Sequence, residues 1–237
     1  MNCFYFPQLT STTAIVDLHG DEARHIVGAR RLKVGDELLL FNGKGLIANA
    51  EITDILKNKL NVVVTDIEEL NSPVPRITLA TAIPKGDRIN VLLDMSTQLG
   101  ITDFVPLVTE RSIVELNMKK FQRFNRICIN ACKQSRRFFV PKIHASTALN
   151  ELLDDCKNSN SQVMVADPGG QPLAMSDLLM DIQDLVLLVG PEGGFSESEV
   201  RLLADHDVLK LKLSDAILRI ETACVSLLSQ INCQQMS

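Results

Sequence analysis

The chain has 237 residues, enough for one domain or two with a sizeable core. With 46% hydrophobic and 22% charged residues it has the balance of a soluble globular protein, and no run approaches the ~20 apolar residues that span a bilayer. A formal net charge of −5 argues against general coating of nucleic acid. The opening "MNCFYFPQLTSTTAIVDLHG" lacks the basic start and apolar run of a signal peptide, so a cytoplasmic protein is expected.

The first seventy residues read as β. "TAIVDL", "ELLLFNG", "LIANAEITDIL" and "KLNVVVTDIEEL" are short aliphatic or β-branched runs, punctuated at Asn42-Gly43, Gly45 and Lys57-Asn58. "DEARHIVGARRL" interrupts them as a short helix, and the spacing predicts a small barrel. "NSPVPR" (71–76), with two prolines, reads as a linker, which sets the domains at 1–72 and 73–237. Beyond it strands and helices alternate: "ITLATAI", the helix "GDRINVLLDMSTQLG", "DFVPLV", and the helix "MKKFQRFNRICINACKQS" with Phe121, Phe124, Ile127, Cys128 and Cys132 on its apolar face. There follow the helix "ALNELLDDC", the strands "QVMVAD" and "DLVLLVG", the helix "SESEVRLLADH" opened by a Ser196–Glu199 capping box, the strand "VLKLKL", and the helix "RIETACVSLLSQINCQQ". Such alternation predicts βαβ units and a mostly parallel sheet.

Six scattered cysteines form no CxxC pair. Cys128 and Cys132 share a helix face, but with no histidine nearby and no second pair they read as core packing, and no metal is expected. Charge is unevenly spread. Between Glu115 and Glu151 there is no acidic residue, while Lys119, Lys120, Arg123, Arg126, Lys133, Arg136, Arg137 and Lys142 fall there. That local basic stretch is where a polyanion would dock. Phe138 and Phe139 follow it; burial beneath the sheet is favoured over stacking on a base.

Open α/β sheets bind ligands at the carboxyl ends of their strands. Three strand exits stand out: "ADPGGQPL", "GPEGGFS" and "SDAILRIETA". No GxGxxG or GxxxxGK[ST] is present, so neither a dinucleotide fingerprint nor a P-loop is supported. Glu192, central in "GPEGG", would repel a phosphate at a cost of order 1 kcal/mol or more. A carboxylate suits hydroxyl or cationic groups, and glycines let backbone groups approach an adenine edge. A cationic nucleoside such as S-adenosylmethionine meets that description.

The ordered set "PKGDR" (84–88), "TQLGI" (97–101), "VPLVTERS" (105–112), "KQSRR" (133–137), "LVGPEGGFSESEV" (188–200) and "LRIETA" (218–223) resembles the RsmE family, which methylates N3 of one uridine in 16S ribosomal RNA. "RHIVGARRLKVGDELLLFNGKG" (24–45) is similar to the PUA-like barrel that precedes the catalytic domain in that family. The resemblance implies an α/β SPOUT-type C-terminal domain with a deep trefoil knot and mostly parallel sheet, after a small PUA-like β-barrel domain. It also implies a homodimer acting on 16S ribosomal RNA of the small ribosomal subunit, with S-adenosylmethionine as cofactor and neither membrane nor metal. Carried over by motif, the cofactor residues are Leu188, Val189, Gly190, Pro191, Glu192, Gly193 and Gly194, then Leu211, Leu213, Ser214, Ile217 and Leu218, with Asp167 from the 167–170 turn. Arg219 and Glu221 take the catalytic role: Arg219 stabilises a uridinate or anchors phosphate, and Glu192 or Glu221 orients a ligand group or Arg219. A helix-start ion pair between Arg219 and Glu221 is the structural alternative. RNA contacts are expected from Arg24, Arg30, Arg31 and Lys33 in the barrel, and from Lys85, Arg88, Arg111, Lys133, Gln134, Arg136 and Arg137.

The chain departs from the family pattern at Gly28, Gln98, Lys133, Arg136, Ser214, Asp215, Ala216 and Ile220, while the GPEGG motif is intact. Two other readings stay open at this point. One is a SPOUT enzyme acting on another RNA position. The other is a catalytically weakened RNA-binding factor of ribosome assembly.

Overall fold

The computed structural model describes residues 2–19, 32–56, 59–112, 116–172 and 182–235. The expected short helix at 21–32, with Arg24, Gly28, Arg30 and Arg31, lies outside them apart from Leu32. The chain forms two compact units, 1–72 with 132–140, and 73–131 with 141–237. The linker expectation placed 132–140 in the second domain; these residues group with the first.

In the first unit five strands, β1 (Asn2–Tyr5), β2 (Ile15–His19), β3 (Glu37–Phe41), β4 (Leu46–Leu56) and β5 (Lys59–Glu69), form one sheet in the order β1-β3-β4-β5-β2. β1 runs parallel to β3 and the other pairs are antiparallel. Two register shifts in the long β4–β5 pair, at Asn49/Ala50 and Ile52/Asp54, are bulges of the kind that bend a sheet. At the predicted Asn42-Gly43 turn the Asn42 side-chain oxygen accepts the N–H groups of Lys44 (2.7 Å) and Leu46 (3.1 Å), and Gly43 sits at φ +78°. β3 explains its own sequence. Leu38 and Leu40 enter the core with Phe4, Leu18, Ile52 and Val62, while Leu39 and Phe41 pack on the opposite face with Cys132, Phe138 and Val140. A strand covered on both faces is apolar without alternation, hence "LLLF". Phe138 meets Phe41 edge-on at 5.9 Å, so this aromatic pair packs on the barrel sheet and not beneath the α/β sheet.

The second unit holds β6 (Arg76–Thr81), α1 (Arg88–Gln98), β7 (Asp103–Val108), the start of α2 (Met118–Ser135), β8 (Lys142–Ile143), β9 (Thr147–Ala148), α3 (Leu149–Ser159), β10 (Gln162–Pro172), β11 (Asp184–Val189), α4 (Glu197–Asp205), β12 (Leu209–Lys212) and α5 (Ile220–Gln235). All its strand pairs are parallel, in the order β12-β10-β11-β6-β7-β8, with β9 beside β7. Alternate residues of the central strands face opposite layers. Ala80, Val105, Val186 and Leu188 pack with Leu152 and Leu153 of α3 and Leu203 of α4. On the α1 and α5 side, Leu92, Leu93, Leu227, Leu228 and Ile231 are fully covered, and the Asn232 amide donates to the Leu99 carbonyl (2.7 Å) at the end of α1.

Two expectations change. Phe121 is exposed, so the apolar seam of α2 starts one turn later at Phe124, which meets Phe104 edge-on. The residues read as a turn after "QVMVAD" belong to β10, which continues to Pro172 with a register shift between Ala166 and Gln171. Gly170 allows it: a side chain there would fall 2.6 Å from the Lys210 carbonyl of β12. Cys128, Cys132, Cys156 and Cys224 are buried on helices, and burial pushes the Cys128 and Cys156 thiols up to about 11.

At the amino ends of the strands Asp103, 4% exposed, accepts from Thr102 Oγ1 (2.8 Å), His144 Nε2 (2.6 Å) and Arg76 Nη2 (3.0 Å). Burial alone would raise this carboxyl, yet the hydrogen bonds from His144, Thr102 and Arg76, with the Arg76 charge, hold it at about 2. A depressed folded-state pKa stabilises at pH above the unfolded value, and that contribution disappears as pH falls from about 4 to about 2. Asp103→Asn should therefore cost about 2 kcal/mol in urea unfolding at pH 7, and the gap to wild type should narrow steadily below pH 4. Equal stability of the two proteins at pH 7 would refute the assignment.

Candidate active site

β10 lies between β12 and β11; the carboxyl ends of β11 and β12 lead into two of the three segments singled out in the sequence, and residues 166–172 of the third form the end of β10 itself. After β11 the loop 190–194 is a tight turn. The Gly194 N–H donates to the Pro191 carbonyl (2.8 Å), and Gly194 takes φ +69°. The start of α4 anchors its far end. Ser196 Oγ accepts the Glu199 N–H, and Glu199 Oε2 accepts the Ser196 N–H (2.8 Å), which completes the capping box. The other oxygen of this buried carboxylate accepts the Glu110 N–H (2.8 Å), tying α4 to the segment after β7.

Two arginines hold the loop itself. Arg111 Nη1 donates to the carbonyls of Gly193 (2.5 Å) and Phe195 (3.3 Å). Arg88 Nη2 donates to Glu192 Oε1 (2.7 Å), and its Nη1 lies 3.9 Å from Glu221 Oε2 in the first turn of α5. Arg88 thus bridges the loop after β11 and the helix after β12. The ion pair between Arg219 and Glu221, the structural alternative to a catalytic role, is not formed: Glu221 faces Arg88, and Arg219 is exposed with no side-chain partner among the described residues.

These segments enclose a cavity of about 590 Å³, within the usual range for small-ligand sites. Its walls are Ala166, Asp167 and Pro168 of β10, the loop 189–195, residues of 211–220, and Val200 and Ala223 from the first turns of α4 and α5. Of the sequence-predicted cofactor residues, Val189, Gly190, Pro191, Glu192, Gly193, Gly194, Leu211, Leu213, Ser214, Ile217, Leu218 and Asp167 line it, and so does Arg219. Leu188 does not. It is wholly buried one position earlier on β11, where the strand's alternation turns it into the α3/α4 core. Phe195, Val200 and Ala223 are lining residues the motif reading passed over; for Val200 and Ala223 the signal was helical phase. Ile217 is 93% exposed at the rim, and Asp167 is partly engaged by the Gly169 N–H (2.7 Å) and Lys210 (3.7 Å).

A second cavity of about 310 Å³ adjoins the first along Pro191, Glu192 and Gly193, and Lys85, Arg88 and Arg111 line it. The other described residues predicted to contact RNA belong to the first unit. Lys133, Gln134, Arg136 and Arg137 stand on the 132–140 segment of the first unit, where burial lowers the Arg137 pKa. Lys33 is exposed on the turn before β3.

The parallel sheet with its glycine-loop cavity, after a β-sheet unit, coincides with the domain matches of an RNA methyltransferase. Residues 70–232 match the RNA methyltransferase domain family, and 18–65 match the RNA methyltransferase PUA domain. The chain belongs to the family of ribosomal RNA small subunit methyltransferase E. It is 34% identical to that protein of Rickettsia conorii over 97% of this chain and 94% of the relative, and 29% identical to that of Bacillus subtilis over 97% and 96%. Its structure is similar to that of the Neisseria gonorrhoeae protein of the same name, solved with S-adenosyl methionine (TM-score 0.88, 29% identity, 98% of this chain and 97% of that one). It is also similar to a putative methyltransferase of Legionella pneumophila, solved with the same cofactor (TM-score 0.84, 29% identity, 98% and 96%).

Charge-assisted hydrogen bonds of the Arg111 kind contribute about 1.5–3 kcal/mol where they are sheltered. In Arg111→Ala, amide hydrogen exchange across 190–195 should quicken by roughly 10-fold or more, while that of β11 stays unchanged. An unaltered loop exchange rate would show that the loop keeps its shape without Arg111.

Proposed function

We propose that the protein transfers the methyl group of S-adenosylmethionine to N3 of a uridine in 16S ribosomal RNA. The observation that carries this reading is the 590 Å³ cavity walled by Gly190–Gly194, in a chain whose structural relatives were solved with that cofactor. The residues present fit the group. Leu211, Leu213, Ile217 and Leu218 offer apolar walls for an adenine ring, the loop offers backbone N–H and C=O groups at close range, and the carboxylates of Glu192 and Asp167 suit hydroxyl and amino groups. When bound, S-adenosylmethionine supplies an electrophilic methyl on a sulfonium.

Everything else falls to the chain's own residues. The two arginine clamps hold the loop in one shape, and alignment of this kind supplies much of the rate in a displacement. Uridine N3 must lose its imide proton to solvent water, which leaves negative charge on the ring. Arg219, exposed at the cavity and without an internal partner among the described residues, stabilises that charge. Glu221 acts at one remove, holding Arg88 against the loop. Lys33, Lys133, Gln134, Arg136 and Arg137 dock the RNA backbone, together with Arg24, Arg30 and Arg31. The protein works as a cytoplasmic homodimer with a threaded, knotted C-terminal path. The placement of β12 beside β10, and Val91 and Met95 exposed one turn apart on α1, support these two features.

Mass spectrometry of 16S ribosomal RNA from cells lacking the protein should show one uridine without its N3 methyl; an unchanged modification map would refute the reading. Purified Arg219→Ala should methylate that RNA in vitro roughly 10²-fold more slowly than wild type, the usual loss when one stabilising donor is removed, with calorimetric affinity for the cofactor retained. Wild-type rates in Arg219→Ala would remove it from the mechanism.

A further inference from the structure

Arg88, the first residue of α1, stands between two carboxylates that it serves unequally. Its Nη2 donates to Glu192 Oε1 at 2.7 Å, and its Nε donates to the Lys85 carbonyl at 3.3 Å. Its Nη1 lies 3.9 Å from Glu221 Oε2, about 1 Å beyond the usual hydrogen-bond length. That oxygen is buried and accepts no hydrogen bond among the described residues. The two acids differ in shelter as well: the Glu192 side chain is 45% exposed and that of Glu221 15%. An ion pair gains strength as water is excluded from it, and a buried polar oxygen without a donor costs free energy. Arg88 therefore holds the wetter partner and leaves the drier one short of a donor.

The two acids also differ in what can reach them. Glu192 is on the wall of both cavities, and Glu221 is on the wall of neither. A cation that enters the larger cavity competes with Arg88 for Glu192, because the two like charges repel across one carboxylate. Arg88 can yield, since a second carboxylate stands next to it. Resting on the methyl-transfer reading above, we propose that Arg88 is a two-position positioning residue, which a ligand cation in the larger cavity displaces from Glu192 onto Glu221. The displacement changes what is held. Paired with Glu192, Arg88 steadies the loop 190–194. Displaced, it leaves Glu192 to the ligand and closes on the unpartnered oxygen in the first turn of α5. That turn begins on Arg219, whose carbonyl accepts the Ala223 N–H (2.8 Å). The start of α5, and Arg219 with it, is thus fixed most firmly in the loaded protein. S-adenosylmethionine carries one positive charge more than S-adenosylhomocysteine, on sulfur, so the two forms displace Arg88 to different degrees.

Calorimetry on the full-length protein with each of the two forms separates this from a purely structural role. Glu221→Gln leaves Arg88 without its second anion, so affinity for S-adenosylmethionine should fall about 5-fold or more relative to that for S-adenosylhomocysteine. Arg88→Ala removes the competitor and should move the same ratio the other way, in favour of S-adenosylmethionine. In the double variant the effect of Glu221→Gln on the ratio should vanish, since it acts through Arg88. A mere loss of packing would lower both affinities together and leave the ratio where it was. Amide exchange gives a second reading. S-adenosylmethionine should slow exchange across 220–224 by roughly 5-fold or more in the wild type, and Glu221→Gln should abolish that slowing. An affinity ratio in Glu221→Gln equal to that of the wild type, or shifted alike in both single variants, would overturn the proposal while leaving methyl transfer intact. If the wild type bound neither form, the reading on which the proposal rests would fall instead.

Discussion

A glycine-rich loop cannot hold its own shape, and the site depends on how this one is held from outside. Between β11 and α4 the chain has few side chains with which to pack, so its conformation is imposed by Arg88, by Arg111 and by the doubly used Glu199 carboxylate. Each reaches the loop or its far end from a different part of the chain. Exposed ion pairs contribute little to global stability, and Arg88–Glu192 is half-exposed. Its effect is local. It selects one loop shape out of the many that glycine permits, and it links that shape to the first turn of α5.

The same arrangement gives the glutamate in "GPEGG" a reason to be there. A carboxylate at this point excludes the phosphates that similar loops bind, and it gives Arg88 a partner across the wall between two cavities. The charges then divide usefully. Arg88 and Arg111 are largely spoken for by loop groups, whereas Arg219 and Lys85, which have no side-chain partner among the described residues, line different cavities.

Much of this was legible in the residues. Continuous apolar runs such as "LVLL" marked strands buried on both faces, Asn42-Gly43 marked a turn, and Ser196 with Glu199 marked the start of α4. The motifs placed nearly all of the larger cavity's lining, because a loop that meets a ligand through backbone needs particular residues in order. What escaped was what depends on partners far along the chain. Arg88 and Glu192 lie 104 positions apart, and nothing in either neighbourhood announces the pair. Leu188 belongs to the motif but faces the core, since strand phase and not motif membership decides where a side chain points. The continuation of β10 through Asp167–Gly170 was hidden because glycines read as a turn, when Gly170 serves close contact with β12. The two-residue strands β8 and β9 carry too few residues to show any period.

The packing of β3 against residues 132–140 has a consequence for what counts as a module in this chain. The first unit is discontinuous: its outer apolar layer, Cys132, Phe138 and Val140, is encoded sixty residues after its last strand. A polypeptide ended at the proline-rich linker would carry all five strands and still leave Leu39 and Phe41 bare, the sort of flat apolar face through which sheets adhere to one another. The smallest autonomous form of the barrel is therefore not a contiguous stretch of sequence. Any transplant of this unit onto another domain must bring along a fragment that the linear order places beyond the linker.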